Sequence, residues 1–221
     1  MMRENKLTQI YEKRFSGYEN YRNQVWKILV DKFFTKWIKS NHSIIDLGCG
    51  YGEFINNITC QVRHAMDLNP KIKSLLDKDV IFHMQECSTS WEIESNSLDL
   101  VFTSNFFEHL PNKELLDRTM YEIKKSLKPG GRIIAMGPNI KVLHGKYWDF
   151  WDHHVALSDQ SISELLRIHD FKIEQCYPKF LPFNMVRTRE SPLFLINIYL
   201  KFQFLWKIFG KQFLIIAKKE I

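Results

Sequence analysis

The chain has 221 residues, 45% of them apolar and 14% aromatic, which is enough for one large packed domain and too apolar for intrinsic disorder. Four cysteines (Cys49, Cys60, Cys87, Cys176) form no Cys-x-x-Cys pair, which argues against a zinc site or disulfide framework and fits a reducing compartment. The net charge of +6 is uneven: 9 basic residues stand against 4 acidic in 1–40, 14 against 19 in 41–178, and 8 against 2 in 179–221. Such basic ends suit nucleic acid, an anionic substrate or a membrane surface, or are solvated lysines. Residues 1–24 are mostly polar with no basic-then-apolar leader, so a cytoplasmic location is expected.

Tyr11, Phe15, Tyr18 and Tyr21 lie in a polar leader and read as a packed cover. Residues 20–39 come next as an amphipathic helix carrying Trp26, Val30, Phe33, Phe34, Trp37 and Ile38 at helical spacing. A strand over 43–47 then runs into the loop Gly48-Cys49-Gly50-Tyr51-Gly52. Residues 62–66 form a short strand ending at Asp67, and 70–76 a helix with proline in its first turn. Further strands are expected at 80–84 and 98–103. Leu116, Met120, Ile123 and Leu127 mark the buried stripe of a helix stopped by Lys128-Pro129-Gly130-Gly131, and 132–136 is the fifth strand. Beyond it come an aromatic loop with Trp148, Trp151, His153 and His154, a helix over 158–168 capped by Ser158, a strand at 171–176, an apolar stretch at 181–210 and a closing strand at 212–218. Alternating strands and helices imply a parallel sheet covered on both faces, with ligands at the carboxyl ends of the strands. Asp46, Asp67, Ser104-Asn105 and Pro138-Asn139 fall at those ends.

Two cofactor classes compete for the glycine loop. A nicotinamide dinucleotide site wants Gly-x-Gly-x-x-Gly; here the third glycine arrives one position early, at Gly52, and Glu53 takes its place. Asp46, two residues before Gly48, suits a cofactor that carries an ammonium group and no pyrophosphate. Asp67 can accept from both hydroxyls of a ribose in either class.

Asp46-x-Gly48-x-Gly50-x-Gly52 resembles the first motif of the class I S-adenosylmethionine-dependent methyltransferases. Ala65-Met66-Asp67-Leu68-Asn69-Pro70 resembles their ribose motif, and Ser97-Leu98-Asp99-Leu100-Val101-Phe102 their fourth strand. Asn105-Phe106-Phe107-Glu108-His109-Leu110 and Leu127-Lys128-Pro129-Gly130-Gly131-Arg132 resemble the two segments after it. The resemblance implies a Rossmann-like, doubly wound α/β fold with a mostly parallel seven-stranded sheet and an antiparallel last strand. It implies S-adenosyl-L-methionine as cofactor, with Gly48, Cys49, Gly50 and Gly52 along the methionine part and Asp46 near its amino group. Asp67 would hold the ribose, Leu68 the adenine face, and Asn105 the methionine end. The family's acid after the third strand is missing: Gln85-Glu86-Cys87-Ser88 stands there, so Glu86, or the backbone of Cys87 and Ser88, would meet the adenine.

A hydroxyl acceptor needs a base with a pKa near neutrality, and histidine is the natural choice. His109 belongs to a Glu-His-Leu turn spread across the family and reads as structural. His153 and His154, oriented by Asp152 or Asp149, are the candidate bases, with His154 preferred; a histidine capping the next helix is the bland alternative. The stretch His154-x-x-x-Ser158-Asp159 is similar to one in bacterial methyltransferases resembling those of surface-polysaccharide gene sets. The expectation is therefore a single methyltransferase domain: a cover at 1–42, a cofactor core at 43–139, and an acceptor region at 140–221 with the insertion 181–210. Its activity would be O-methylation of a small-molecule or glycan hydroxyl, with no metal and no nucleic acid. N-methylation or a lipid or quinone-like acceptor is the nearer alternative; an NAD-dependent oxidoreductase and a non-catalytic cofactor-binding module are the others. No Asn-Pro-Pro-Tyr-like tetrapeptide stands after the fourth strand, which argues against base methylation. In the insertion, 193–200 is far short of the ~20 apolar residues of a membrane span, which leaves a lid, a homodimer surface or a peripheral membrane contact.

Overall fold

The structure, a computed structural model, describes residues 17–183 and 191–220. Tyr11 and Phe15 lie outside the described residues. Seven strands form one sheet in the order β3-β2-β1-β4-β5-β7-β6: β1 Ser43–Leu47, β2 Val62–Met66, β3 Val80–His83, β4 Leu98–Ser104, β5 Leu127–Pro138, β6 Phe171–Tyr177 and β7 Gln212–Lys219. Six run parallel and β7 runs antiparallel between β5 and β6. This is the Rossmann-like sheet expected from the sequence.

Strand side chains alternate between two cores, as the two-residue period requires. Ile44, Phe102, Ile134, Met136, Leu214 and Ile216 face one core, and Ile45, Val101, Ile133, Ala135, Ile215 and Ala217 the other. The first core is closed by α1 (Glu19–Lys32), which presents Tyr21, Val25 and Leu29 four residues apart. It is rich in rings: Phe54 stacks on Phe102 at 3.6 Å, and Phe34, fully buried, packs edge-on to Phe102 at 5.2 Å. The second core is closed by α2 (Lys113–Ser126) and α3 (Asp159–Ile168). Both helices begin on side-chain caps: Asn112 accepts from the Leu115 amide, and Ser158 forms a capping box with Ser161.

Several elements differ from the sequence expectation. The first helix ends at Lys32, and Phe34–Trp37 is a separate 3₁₀ turn. Three- and four-residue spacings both keep Phe34 and Trp37 together, so the apolar stripe is blind to this break. The helix expected at 70–76 is also 3₁₀, Pro70–Leu75. Leu127 starts β5 instead of ending α2, and β5 reaches back through a register shift opposite Leu98 and Leu100, with Gly130 at φ +78°. The apolar stretch resolves into α4 (Leu193–Lys201) and α5 (Gln203–Phe209), which lie in the first core's layer through buried Ile196, Leu200 and Trp206.

The loop after β1 leads into one 3₁₀ turn, Ile55–Asn57, where a doubly wound fold usually places a helix. Once the glycines are spent, the chain before β2 offers β-branched Ile55, Ile58 and Thr59 around Asn56-Asn57, a poor helix sequence. The uncovered surface falls to α1 and Phe54.

Candidate active site

At the carboxyl ends of the strands the glycine loop separates two cavities. Its backbone is fixed by its neighbours: the Gly48 and Cys49 amides donate to the Met66 carbonyl at 2.9 and 3.2 Å, and the Gly50 amide donates to Asp67 Oδ2 at 3.1 Å. Gly48 has φ +69°, and a Cβ there would lie 2.3 Å from the Phe106 ring. Gly52 lines neither cavity; at φ +75° it lets Leu76 and Asn56 pack against the loop from outside.

The first cavity, about 150 Å³, is lined by Gly48, Asp67, Leu68, Glu86, Cys87, Ser88, Phe106 and Asp152 among others. Asp67 is held by the amides of Gly50 and, at 2.9 Å, Asn69. Burial raises its pKa, against the opposing pull of those amides. Glu86 is exposed at the rim. The Cys87 carbonyl is already taken by the Trp91 indole at 2.8 Å, and burial pushes the Cys87 thiol up to about 11, so it is no nucleophile. Of Glu86, Cys87 and Ser88, the groups considered for an adenine, Ser88 is half-buried on the cavity wall with its backbone uncommitted among the described bonds.

The second cavity, about 210 Å³, takes its wall from five distant parts of the chain: α1, the glycine loop, 104–109, 150–153 and 181–183, with Gln212. Asp46 is buried in its wall; burial, then repulsion from Glu53 and Asp67, raises its pKa well above the carboxylate range. Glu53 is buried too, with Arg22 Nη2 at 2.8 Å from its Oε1. Asn105 sits at φ +51°, a conformation asparagine tolerates better than most residues. Its Nδ2 donates to Ser104 Oγ at 3.0 Å, while its Oδ1 is buried without a hydrogen-bond partner among the described residues. An unfilled buried acceptor and a buried acid on the wall of one cavity are what an ammonium group would satisfy. A pyrophosphate would instead meet Asp46 and Glu53, with no α-helix N-terminus behind the loop to bind it. The donor set therefore fits S-adenosylmethionine and disfavours a dinucleotide.

The histidines are sorted by the fold. His154 is exposed and lines neither cavity; its amide donates to the Glu108 carbonyl at 2.8 Å. The preferred candidate His154 therefore stands outside both cavities, because the turn points 153 inward and 154 outward. His153 is buried in the larger cavity's wall, stacked on Phe150 at 5.0 Å and edge-on to Tyr147 at 4.8 Å. His109 lines both cavities. Its Nδ1 meets the Asp152 carbonyl at 2.9 Å and Asp152 Oδ2 at 3.2 Å, and its ring is 5.0 Å from that of His153. Burial lowers its pKa, but the Asp152 and Glu108 carboxylates outweigh this and leave it raised. Glu108, His109 and His153 each bring a ligand-type atom within 4.8 Å of the others. Arg22, Glu108 and Gln212 were not anticipated as site residues: their positions look like ordinary leader, turn and strand in sequence, and only the tertiary fold collects them.

A Rossmann-like seven-stranded sheet with a strand-end acid under a glycine loop and a second acid at the end of the neighbouring strand is the arrangement of a class I S-adenosylmethionine-dependent methyltransferase. The chain belongs to the methyltransferase domain family, whose pattern matches residues 18–175, and its cofactor is S-adenosylmethionine. No curated protein matches it. Among solved structures it is similar to a Thermotoga maritima S-adenosylmethionine-dependent methyltransferase described as a possible histamine N-methyltransferase (TM-score 0.68, 13% identity, covering 97% of each chain). It is also similar to an Archaeoglobus fulgidus S-adenosylmethionine-dependent methyltransferase (TM-score 0.65, 20% identity, 91% of this chain and 97% of that one). A third is a Haloferax volcanii putative methyltransferase in complex with the Trm112 activator (TM-score 0.66, 15% identity, 95% of each). At these identities the likeness is one of fold.

Proposed function

We propose that the protein O-methylates a small-molecule or glycan hydroxyl, with His153 as the base, and that residues 1–221 act as one methyltransferase domain. The observation that carries this reading is the pair of cavities meeting at Gly48 and His109, one bearing a ribose-type acid and the other an ammonium-type acceptor pair and a buried imidazole. Asp67 would hold the ribose hydroxyls, with Leu68 on the adenine face and Ser88 at its edge. Asp46 and the Asn105 carbonyl would take the amino group, and Arg22, a guanidinium on the same cavity's wall, would face the carboxylate. Gly48, Cys49, Gly50 and Gly52 keep the loop close enough for these contacts.

The bound cofactor supplies a methyl group already activated on a sulfonium. What the chain adds is alignment, exclusion of water and removal of one proton. Phe150, Phe183, Trp26 and Leu181 line the larger cavity and keep it apolar where an acceptor would enter. His153 would accept the hydroxyl proton as the acceptor oxygen bonds to carbon. His109, its Nδ1 engaged by Asp152, stands beside it as a positioning residue. A surface-sugar acceptor rests on the resemblance of 146–161 and on nothing in the geometry. Incubation with S-adenosylmethionine and panels of nucleotide-sugars, glycans, amines and lipids, read as a one-methyl mass gain, tests the proposal. Gain on a hydroxyl supports it, and gain confined to amines replaces it with N-methylation.

A further inference from the structure

We propose that the outer face of α4 and α5 docks on an anionic lipid bilayer surface. The two helices are held firmly by their inner sides. Tyr21 Oη and Ser191 exchange bonds of 3.1 Å through the Ser191 carbonyl and amide, Tyr199 donates to the Phe180 carbonyl at 2.6 Å, and the Trp206 indole donates to the Tyr199 carbonyl at 2.8 Å. Trp206 is buried against Phe33 and Phe180 with ring centroids 5.8 and 4.9 Å apart. What remains outward is a fixed apolar face: Phe194, Ile198, Phe202, Phe204, Ile208 and Phe209 are all exposed, Phe204 by 59% and Ile208 by 60%. Single exposed apolar residues mean little, but a run of this density along two anchored helices marks a contact surface.

Charge selects the partner. Lys201 and Lys207 are exposed within the face and Lys211 is half-buried at its end, while 191–219 contains no acidic residue. The Lys201 ammonium lies 5.7 Å from the Phe202 ring centre, so cation and ring can sit at one depth. Lysines interleaved with phenylalanine and isoleucine on short helices fit the headgroup boundary of an anionic bilayer. A second copy fits worse, because a two-fold interface would oppose the same lysines with no acid to pair them. Among the described residues no helix is long and apolar enough to cross a membrane, so the contact is interfacial. Leu181, which shares one core cluster with the buried Ile196, Leu200 and Trp206 of these helices, also lines the larger cavity.

The test needs no methyl acceptor and is independent of the proposed reaction. The full chain is sedimented with vesicles of phosphatidylcholine alone and of phosphatidylcholine with phosphatidylglycerol. Binding is expected to the anionic vesicles, falling about tenfold for Phe204→Ser/Ile208→Ser and about fivefold for each of Lys201→Gln and Lys207→Gln. Failure of the unaltered chain to bind anionic vesicles overturns the proposal, as does wild-type binding by Phe204→Ser/Ile208→Ser. Sedimentation velocity covers the rival: a dimer that Phe204→Ser/Ile208→Ser dissociates assigns the face to a second copy.

Discussion

The two cavities are built in opposite ways. The smaller one is lined by strand ends and loops between Leu47 and Leu115, with Asp152 as the one distant contribution. The larger one draws Tyr21, Asp46, Asn105, His153, Phe183 and Gln212 from across the chain. A cofactor common to a family can be met by short local motifs, because backbone amides and one acid per strand end do the binding. An acceptor particular to one enzyme is enclosed by whatever helices and loops the rest of the chain brings over the sheet. Substitutions on either side put that contrast at risk.

The heaviest loss is expected on the acceptor side. His153→Ala should lower turnover by about 100- to 10,000-fold while leaving S-adenosylhomocysteine affinity nearly intact; a loss of cofactor affinity of the same size would move His153 to the cofactor side. The core shared by both cavities comes next. Phe34→Ala removes a fully buried ring from the Phe54–Phe102 cluster and should cost about 3–5 kcal/mol in denaturant unfolding, both sites failing together. On the cofactor side, Gly48→Ala puts a methyl 2.3 Å from the Phe106 ring at a positive φ, and should weaken cofactor binding about tenfold by calorimetry.

A smaller effect is expected with pH. Asp46 has a raised folded pKa, so the cofactor-free protein holds a proton that the unfolded chain has already lost. Its contribution to stability is full below the unfolded value and is lost as pH rises toward the folded one. Binding an ammonium favours the carboxylate, so cofactor affinity should rise with pH over that window. Proton release in calorimetry, compared between buffers of different ionisation heat, checks the sign; proton uptake would show that Asp46 does not face the ammonium. Two changes should have effects near zero. His154→Ala should turn over like the parent chain, and so should protein dialysed against EDTA. Activity lost to chelation and restored by zinc or manganese would make Glu108, His109 and His153 a metal site instead of a base with its neighbours.

Legibility in the sequence divides along the same line. Asp46, Gly48 and Asp67 could be placed because each sits at a strand end within a few residues of a glycine or proline marker, and Asn105 because it follows the fourth apolar run; the fold puts all four at the carboxyl ends of strands. The seven strands were legible as short, nearly continuous apolar runs between polar, glycine and proline breaks. The missing helix after Gly52 was not anticipated, since a glycine motif carries no information on the length of the helix behind it. His153 and His154 are adjacent, and which of the two turns inward is decided by Glu108, whose carbonyl takes the amides of His154 and Val155 at 2.8 and 3.2 Å from 46 and 47 residues away. No local pattern carries that information. Arg22 was hidden for the same reason: its partner Glu53 lies beyond the whole first strand.

One S-adenosylmethionine is proposed to span the two cavities, its ribose on Asp67 in the smaller and its methionine end in the larger, where the acceptor would meet it. Titration of S-adenosylhomocysteine into the parent chain and into Asp67→Ala tests this most directly. One site per chain is expected for the parent, with an affinity about 100-fold weaker in Asp67→Ala, the scale of losing two hydrogen bonds to a charged group. Equal affinity in the two proteins would contradict the placement of the ribose, and binding of NADH without S-adenosylhomocysteine would contradict the cofactor itself.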